Sequence, residues 1–286
     1  MDAPPNLTHP SEVRSLLARL DFHPSRVLGQ NFLIDRNILQ ILIQAADLHP
    51  GESIVEVGPG LGVLTEALLD SGVGVTAIEK DRRLAALLRE RLADRPRLDL
   101  IQADILTCDL GALFTRPGAK LVANLPYAIA ARLLVELTAL PTPPVRIVVT
   151  IQREVAERLV AAPATRDYGL LSILVQRPYA VRILKPVSRT CFWPAPDVQS
   201  SIVRLDLRSE PLGGAAEEDP LRHLLRHVFS QRRKTLARSL KDLIPDPLPA
   251  LRAAGIDPGA RAEQLPPEAW PGLLRALPDG STRRLD

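Results

Sequence analysis

Cysteine is nearly absent: the 286 residues hold two, Cys108 and Cys191. Two thiols cannot build a disulfide framework, and no Cys/His cluster has metal-ligand spacing, so no metal is expected. Such sparing use of cysteine suits a reducing, cytoplasmic setting. No apolar run approaches the ~20 residues of a bilayer span, so no membrane partner is expected. The start, MDAPPNLTHP, lacks the apolar stretch of a secretory leader. Internal repeats and low-complexity tracts are missing. Aromatic residues make up 3% of the chain, so each one carries information. Lysine is scarce, and arginine supplies most of the 36 basic side chains. Arginine is the better fork for phosphate, although GC-rich coding also favours Arg, Ala, Leu and Pro. The net charge of +3 is only a mild hint of an anionic partner.

What is present is ample apolar material, 46% of residues, and enough length for two domains. After a polar arm with helical spacing at Val13, Leu16, Leu17 and Leu20, residues 34–46 read as a helix. Strands and helices then alternate. Strands are expected at 53–57, 73–78, 98–102, 120–123 and 145–151. Helices are expected at 63–69, 82–92, 127–140, 154–160 and 168–176. Such alternation predicts a parallel, doubly wound α/β sheet. Two further strands, 180–187 and 200–207, are separated only by a Pro-rich loop, which predicts an antiparallel pair at the sheet's edge. That is the Rossmann-like pattern of a class I methyltransferase. Ser209–Pro220 (SEPLGGAAEEDP) reads as a linker. The expected organisation is therefore a domain over 1–208 with an N-terminal arm over 1–27, the linker over 209–220, and an all-helical domain over 221–286.

Glu56-Val57-Gly58-Pro59-Gly60-Leu61-Gly62 lies where the strand at 53–57 turns into a helix. Glycines there allow close backbone approach, and ligands of open α/β sheets bind at this carboxyl edge. Val63 stands where a dinucleotide fingerprint needs its third glycine, so the pyrophosphate-binding form is excluded. Two carboxylates extend the pattern. Glu79 ends the second strand and is placed to accept ribose hydroxyl protons. Asp104 follows the third and is placed to accept from an adenine amino group. Alone, each is an ordinary strand-end acid or tight turn. In register at successive strand ends, they predict a nucleoside site.

Asn124-Leu125-Pro126-Tyr127 follows the fourth strand. The lone pair of an exocyclic amine is delocalised into its base, which makes the nitrogen a poor nucleophile. The Asn124 amide oxygen and the Leu125 carbonyl can accept the two N–H bonds and draw the nitrogen toward tetrahedral geometry. Pro126 stiffens the loop, and Tyr127 offers a face for a splayed-out base, worth about 1–3 kcal/mol. Catalysis of this kind is positioning and electrostatics. Phe192, in Cys191-Phe192-Trp193-Pro194, either stacks on the base's other face or plugs the loop.

Taken in order, LGQNFL (28–33), EVGPGLGVLT (56–65), IEKD (78–81), QADIL (102–106), NLPY (124–127), QREVAERL (152–159), YGLLS (168–172), FWPAPDVQSSIVRL (192–205) and FSQRRKTLARSL (229–240) give the chain its identity. With these segments the chain resembles the ribosomal RNA adenine dimethyltransferase family, and most closely its small-subunit branch. The resemblance implies a cofactor, S-adenosyl-L-methionine, lined by Asn31, Leu33, Gly58, Gly60, Glu79, Asp104 and Asn124. It implies that Tyr127 and Phe192 hold the base. The implied reaction is N6-dimethylation of two adjacent adenines in the 3′-terminal hairpin of 16S rRNA, late in assembly of the 30S subunit. The chain departs from the family pattern at Ala128 and Ala130, where polar residues are common, and at Asp197, where lysine is common.

Residues 221–241 carry seven Lys/Arg and no acid. Arg222, Arg226, Arg232, Arg233, Lys234 and Arg238 are thus candidate phosphate contacts. The bland alternative is a solvated basic helix. A monomer is expected. Three other readings compete: a 23S rRNA adenine dimethyltransferase of the macrolide-resistance type, a non-enzymatic RNA-binding assembly factor on the same scaffold, and a DNA or small-molecule methyltransferase. The retained NLPY quartet argues against the second, and Leu125 against the first and third.

Overall fold

A computed structural model describes residues 6–25, 29–214, 217–278 and 280–282. Parts of the N-terminal arm (1–5 and 26–27), Leu28 of the LGQNFL segment, and residues 215–216 of the expected linker lie outside the described residues. Strands are β1 (Phe32–Leu33), β2 (Ser53–Val57), β3 (Gly74–Glu79), β4 (Leu98–Gln102), β5 (Lys120–Asn124), β6 (Arg146–Gln152), β7 (Tyr179–Val187), β8 (Phe192–Trp193) and β9 (Ser200–Leu207). Helices are α1 (Pro10–Arg19), α2 (Arg36–Ala46), α3 (Val63–Asp70), α4 (Arg82–Arg91), α5 (Leu110–Leu113), α6 (Tyr127–Leu137), α7 (Arg153–Val160), α8 (Leu170–Gln176), α9 (Glu218–Ser230), α10 (Leu236–Leu240), α11 (Leu248–Ala253) and α12 (Ala269–Ala276).

Seven strands form one sheet in the order β4-β3-β2-β5-β6-β9-β7. β4, β3, β2, β5 and β6 are mutually parallel, while β9 runs antiparallel to β6. The central strands are covered on both faces. This explains why β2 (SIVEV) and β5 (KLVAN) read as near-continuous apolar runs rather than alternating ones. Two aspartates just past strand ends start the next helix. Asp35 accepts from Ile38 N at 2.9 Å to cap α2, and Asp81 accepts from Arg83 N at 2.9 Å to cap α4. Among the described residues, no helix is long and apolar enough to cross a membrane.

A second, two-stranded sheet pairs β1 with β8, Phe32 opposite Trp193 and Leu33 opposite Phe192. It ties the LGQNFL segment to the Pro-rich loop before β9. Two-residue strands carry no period, so sequence spacing could not announce them.

By internal contacts the chain forms two compact units. One holds the described residues up to Ala156 together with Arg182–Asp206; the other holds Glu157–Val181 and the described residues from Leu207 onward. The second unit thus takes in a segment that sequence reading assigns to the first domain. The reason is local: Tyr168, fully buried, donates its hydroxyl to Leu265 O at 2.7 Å. The Ala164 N–H also donates to Glu263 O at 2.8 Å. Within the same unit Arg177, also buried, bonds Leu212 O and pairs with Glu218.

Candidate active site

The glycine turn after β2 sets the floor of the site. Gly58, Gly60 and Gly62 all have positive φ, at 67°, 60° and 89°, the left-handed region that disfavours side chains. Space is short as well. A Cβ on Gly58 would sit 3.2 Å from the Pro126 ring, and one on Gly60 would sit 3.0 Å from the Phe32 ring. The glycines therefore let the turn pack against NLPY and against β1.

Glu79, at the end of β3, is buried. Its Oε2 accepts from Gly60 N at 3.1 Å and its Oε1 from Asp81 N at 2.8 Å. Burial pushes its carboxyl above the usual range, and those two N–H groups partly offset the effect. Asp104 follows β4. It caps the next turn through Leu106 N at 3.0 Å and pairs with Lys80 Nζ at 2.9 Å. Lys80, with help from the Leu106 N–H, holds its carboxyl below the usual range. Lys80 is itself well exposed, so the pair is worth little and can open.

Asn124 ends β5. Its Nδ2 donates to the Asn31 carbonyl at 3.1 Å, which fixes the amide's orientation. Its Oδ1 is buried and, among the described residues, has no hydrogen-bond partner. An orphaned buried acceptor of this kind costs about 1–3 kcal/mol and calls for a reason. The next residue is fixed too: Leu125 N donates to Thr150 O at 3.1 Å. Tyr127 opens α6, half-buried, with its hydroxyl 2.5 Å from Ser200 Oγ.

Asn31, Leu33, Gly58, Gly60, Glu79, Asp104, Asn124 and Pro126 all line one cleft of about 1170 Å³, counted to its open mouth. Leu125, Tyr127 and Phe192 do not line it. Phe192 lies apart from the cleft lining. It is 2% exposed and packs with Leu33, Ile38, Leu42, Val187 and Ile202 in the core. That burial favours the loop-plugging alternative over the stacking one. The departures from the family pattern also gain a place: Ala128 is exposed on the cleft wall, whereas Ala130 is buried in the core, where a polar side chain would need a partner. Asp197 is exposed, and its carbonyl accepts from Arg189 at 3.3 Å.

Sequence reasoning missed three residues here. Glu56, on β2, lines the cleft. Gln30 donates to Asp81 at 3.0 Å and so links LGQNFL to α4. Ser200 meets Tyr127. All three stand inside quoted segments, but nothing in their spacing marks them.

The basic stretch divides. Arg222 is mostly buried and pairs with Glu218 at 3.0 Å. Arg232 pairs with Glu263 at 2.5 Å and donates to the carbonyls of Arg166 and Tyr168 at 3.0 and 3.1 Å. Both cations serve the fold of their own unit. Arg226, Arg233, Lys234 and Arg238 are exposed and form no ion pair among the described residues.

The sheet order, with the Gly-turn cleft at its carboxyl edge, defines a class I methyltransferase. The family model described as ribosomal RNA adenine dimethylase matches residues 20–277, and the chain belongs to that family. It is 41% identical over 272 residues to the ribosomal RNA small subunit methyltransferase A of Opitutus terrae, covering 92% of this chain and 97% of that one. It is likewise 41% identical to the protein of that name from Pelotomaculum thermopropionicum, over 90% and 92% of the two chains. Among solved structures, the 23S rRNA methyltransferase ErmE is 31% identical with a TM-score of 0.65, covering 86% of this chain and 99% of that one. A dimethyladenosine transferase from Plasmodium falciparum shares the fold, with a TM-score of 0.72 at 24% identity, over 85% and 95% of the chains.

Proposed function

We propose that this protein transfers methyl groups from S-adenosyl-L-methionine to the N6 amino groups of two adjacent adenines in the 3′-terminal hairpin of 16S rRNA, late in 30S assembly. The observation that carries this reading is the buried, unpartnered Asn124 Oδ1 in NLPY, at the end of a cleft with acids at successive strand ends. The small-subunit substrate is supported by relatives named for that subunit.

The residues present fit the cofactor. Glu79 keeps lone pairs for two ribose hydroxyls after its two backbone bonds. Asp104 stands where an adenine amino group would donate, with Asn31, Leu33 and the Gly58–Gly60 turn closing the cradle. The cofactor supplies an electrophilic methyl group on a sulfonium. The protein's part is to make the amine ready for it. Asn124 Oδ1 and the Leu125 carbonyl accept the two N–H bonds, and Tyr127 supports the ring. Water takes the proton that the methylated amine releases. Residues 1–208 carry the transfer, 209–220 link, and 221–286 bind RNA, in a cytoplasmic monomer.

The test is mass mapping of methylated adenines after incubation with cofactor and unmethylated small subunits. Two adjacent dimethyladenines near the 3′ end are expected; product confined to 23S rRNA would overturn the assignment. In single turnovers at saturating cofactor, Asn124→Ala should lose roughly 10²-fold or more, as when one transition-state hydrogen bond is deleted. Dimethylation at the parent rate would remove Asn124 from the mechanism.

A further inference from the structure

We infer that Ser200 is a positioning residue for the methyl transfer, its hydroxyl anchoring the ring of Tyr127 in the orientation that receives the target base. This rests on the reading of NLPY as the adenine site and adds a residue to it.

Ser200 is the first residue of β9, 0% exposed, with its backbone in the ladder opposite Gln152. Its backbone is therefore held by the sheet. Its neighbour Gln199 is pinned as well, since the Arg153 N–H donates to Gln199 O at 2.9 Å and the Arg153 guanidinium to Gln199 Oε1 at 3.2 Å. Tyr127 is the opposite case. It is the first residue of α6 and only half-buried, so packing alone does not fix its two side-chain torsions. The 2.5 Å contact between the two hydroxyls supplies the missing restraint.

The base loop is thereby tied to the sheet at two points. Leu125 N is held by Thr150 O on β6, which places the backbone acceptor. Tyr127 is held by Ser200 on β9, which places the platform. Both ties reach adjacent strands of one sheet, where Thr150 pairs with Ile202. An amine presented to two fixed acceptors needs a base plane fixed to match, because small misplacement of a reacting atom is costly. The second methylation feels this most. A monomethyl amine has one N–H left and must be realigned before it reacts.

A ring face alone would make Tyr127→Phe nearly silent. The tether predicts otherwise: Tyr127→Phe and Ser200→Ala remove the same bond from opposite ends, so they should fail alike. The bland alternative is that Tyr127 merely satisfies a buried serine hydroxyl. It predicts altered stability with unaltered kinetics.

The experiment compares the parent, Ser200→Ala, Tyr127→Phe and the double variant on unmethylated small subunits. It reads kcat/KM for the subunit, the ratio of monomethyl- to dimethyladenine, and cofactor affinity by calorimetry. Each single variant should lose roughly 2- to 13-fold in kcat/KM, as for one hydrogen bond, and accumulate monomethyladenine. The double variant should be no worse than the poorer single one, because the two changes share one interaction. Cofactor affinity should hold. Parent-like kcat/KM and product ratio in Ser200→Ala, or losses that multiply in the double variant, would overturn the tether. If Ser200→Ala does not fold, Tyr127→Phe, which loses one oxygen, decides alone by the same two readouts. A parent that methylates no small-subunit adenine overturns the site reading itself; an active parent beside indifferent variants overturns only the tether.

Discussion

Glu56 combines three properties at one position: it is 2% exposed, it lines the cleft, and its Oε2 has no hydrogen-bond partner among the described residues. Burial, with Glu79 nearby as a further contributor, pushes its carboxyl up to about 8. In the unfolded chain the same group titrates as an ordinary glutamate, near 4.3. Between these values the folded protein holds a proton that the unfolded chain has lost. Glu56 therefore favours folding fully at acid pH, and that contribution fades as pH rises through about 8. Glu56→Gln mimics the protonated form at every pH. It should match the parent near pH 5 and exceed it at pH 9 by up to roughly 4 kcal/mol. Urea unfolding at the two pH values checks this; equal gaps at both would mean that Glu56 is already ionised in the fold. The sequence placed Glu56 beside the glycine turn but gave it no role. What the spacing could not convey is that β2 is a central strand, flanked by β3 and β5, whose side chains from Ile54 to Val57 are buried.

The β1–β8 ladder separates what element patterns reveal from what they hide. The seven long strands were legible because each carries a short apolar stretch, with three apolar residues or more, bounded by turns. The glycine turn, Glu79, Asp104 and NLPY were legible because they fall at successive strand ends. Phe192 was not, because its meaning depends on which strand it pairs with. Opposite Leu33, it is core. Phe192→Ala should therefore destabilise the protein by about 3–5 kcal/mol, the range for a deleted buried phenylalanine. The folded fraction should bind RNA with a KM near the parent's. Thermal unfolding and steady-state kinetics on the same samples separate the two readings. A raised KM at unchanged stability would restore Phe192 to the base clamp.

Charge distribution along the chain argues for RNA more strongly than net charge does. A surplus of +3 over 286 residues says little, whereas seven cations without an acid over 221–241 say more. Reading those cations as one group, however, overlooks their neighbours. Arg232 is 46% exposed, yet its guanidinium is engaged by Glu263 and by two carbonyls from the segment before α8. Exposure alone therefore does not identify a phosphate ligand; an exposed cation already engaged by the fold is not free to meet one. Removing Arg232 should loosen the fold, by about 0.5–1.5 kcal/mol as for an ordinary hydrogen bond, and leave phosphate contacts in place. Among the described residues, Arg233, Lys234 and Arg238 form no ion pair of this kind. If all three meet phosphate, changing them together to Ala removes about 0.7–0.9 counterions per contact from the binding equilibrium. The slope of log affinity against log salt for small-subunit RNA should then flatten by roughly 2–3 units, at unchanged cofactor affinity. Arg232→Ala serves as the internal control, lowering the unfolding midpoint while its salt slope stays near the parent's. An unaltered slope in the triple variant would return the basic face to the role of solvated surface. A flattened slope in Arg232→Ala alone would mean that its ion pair opens when RNA binds.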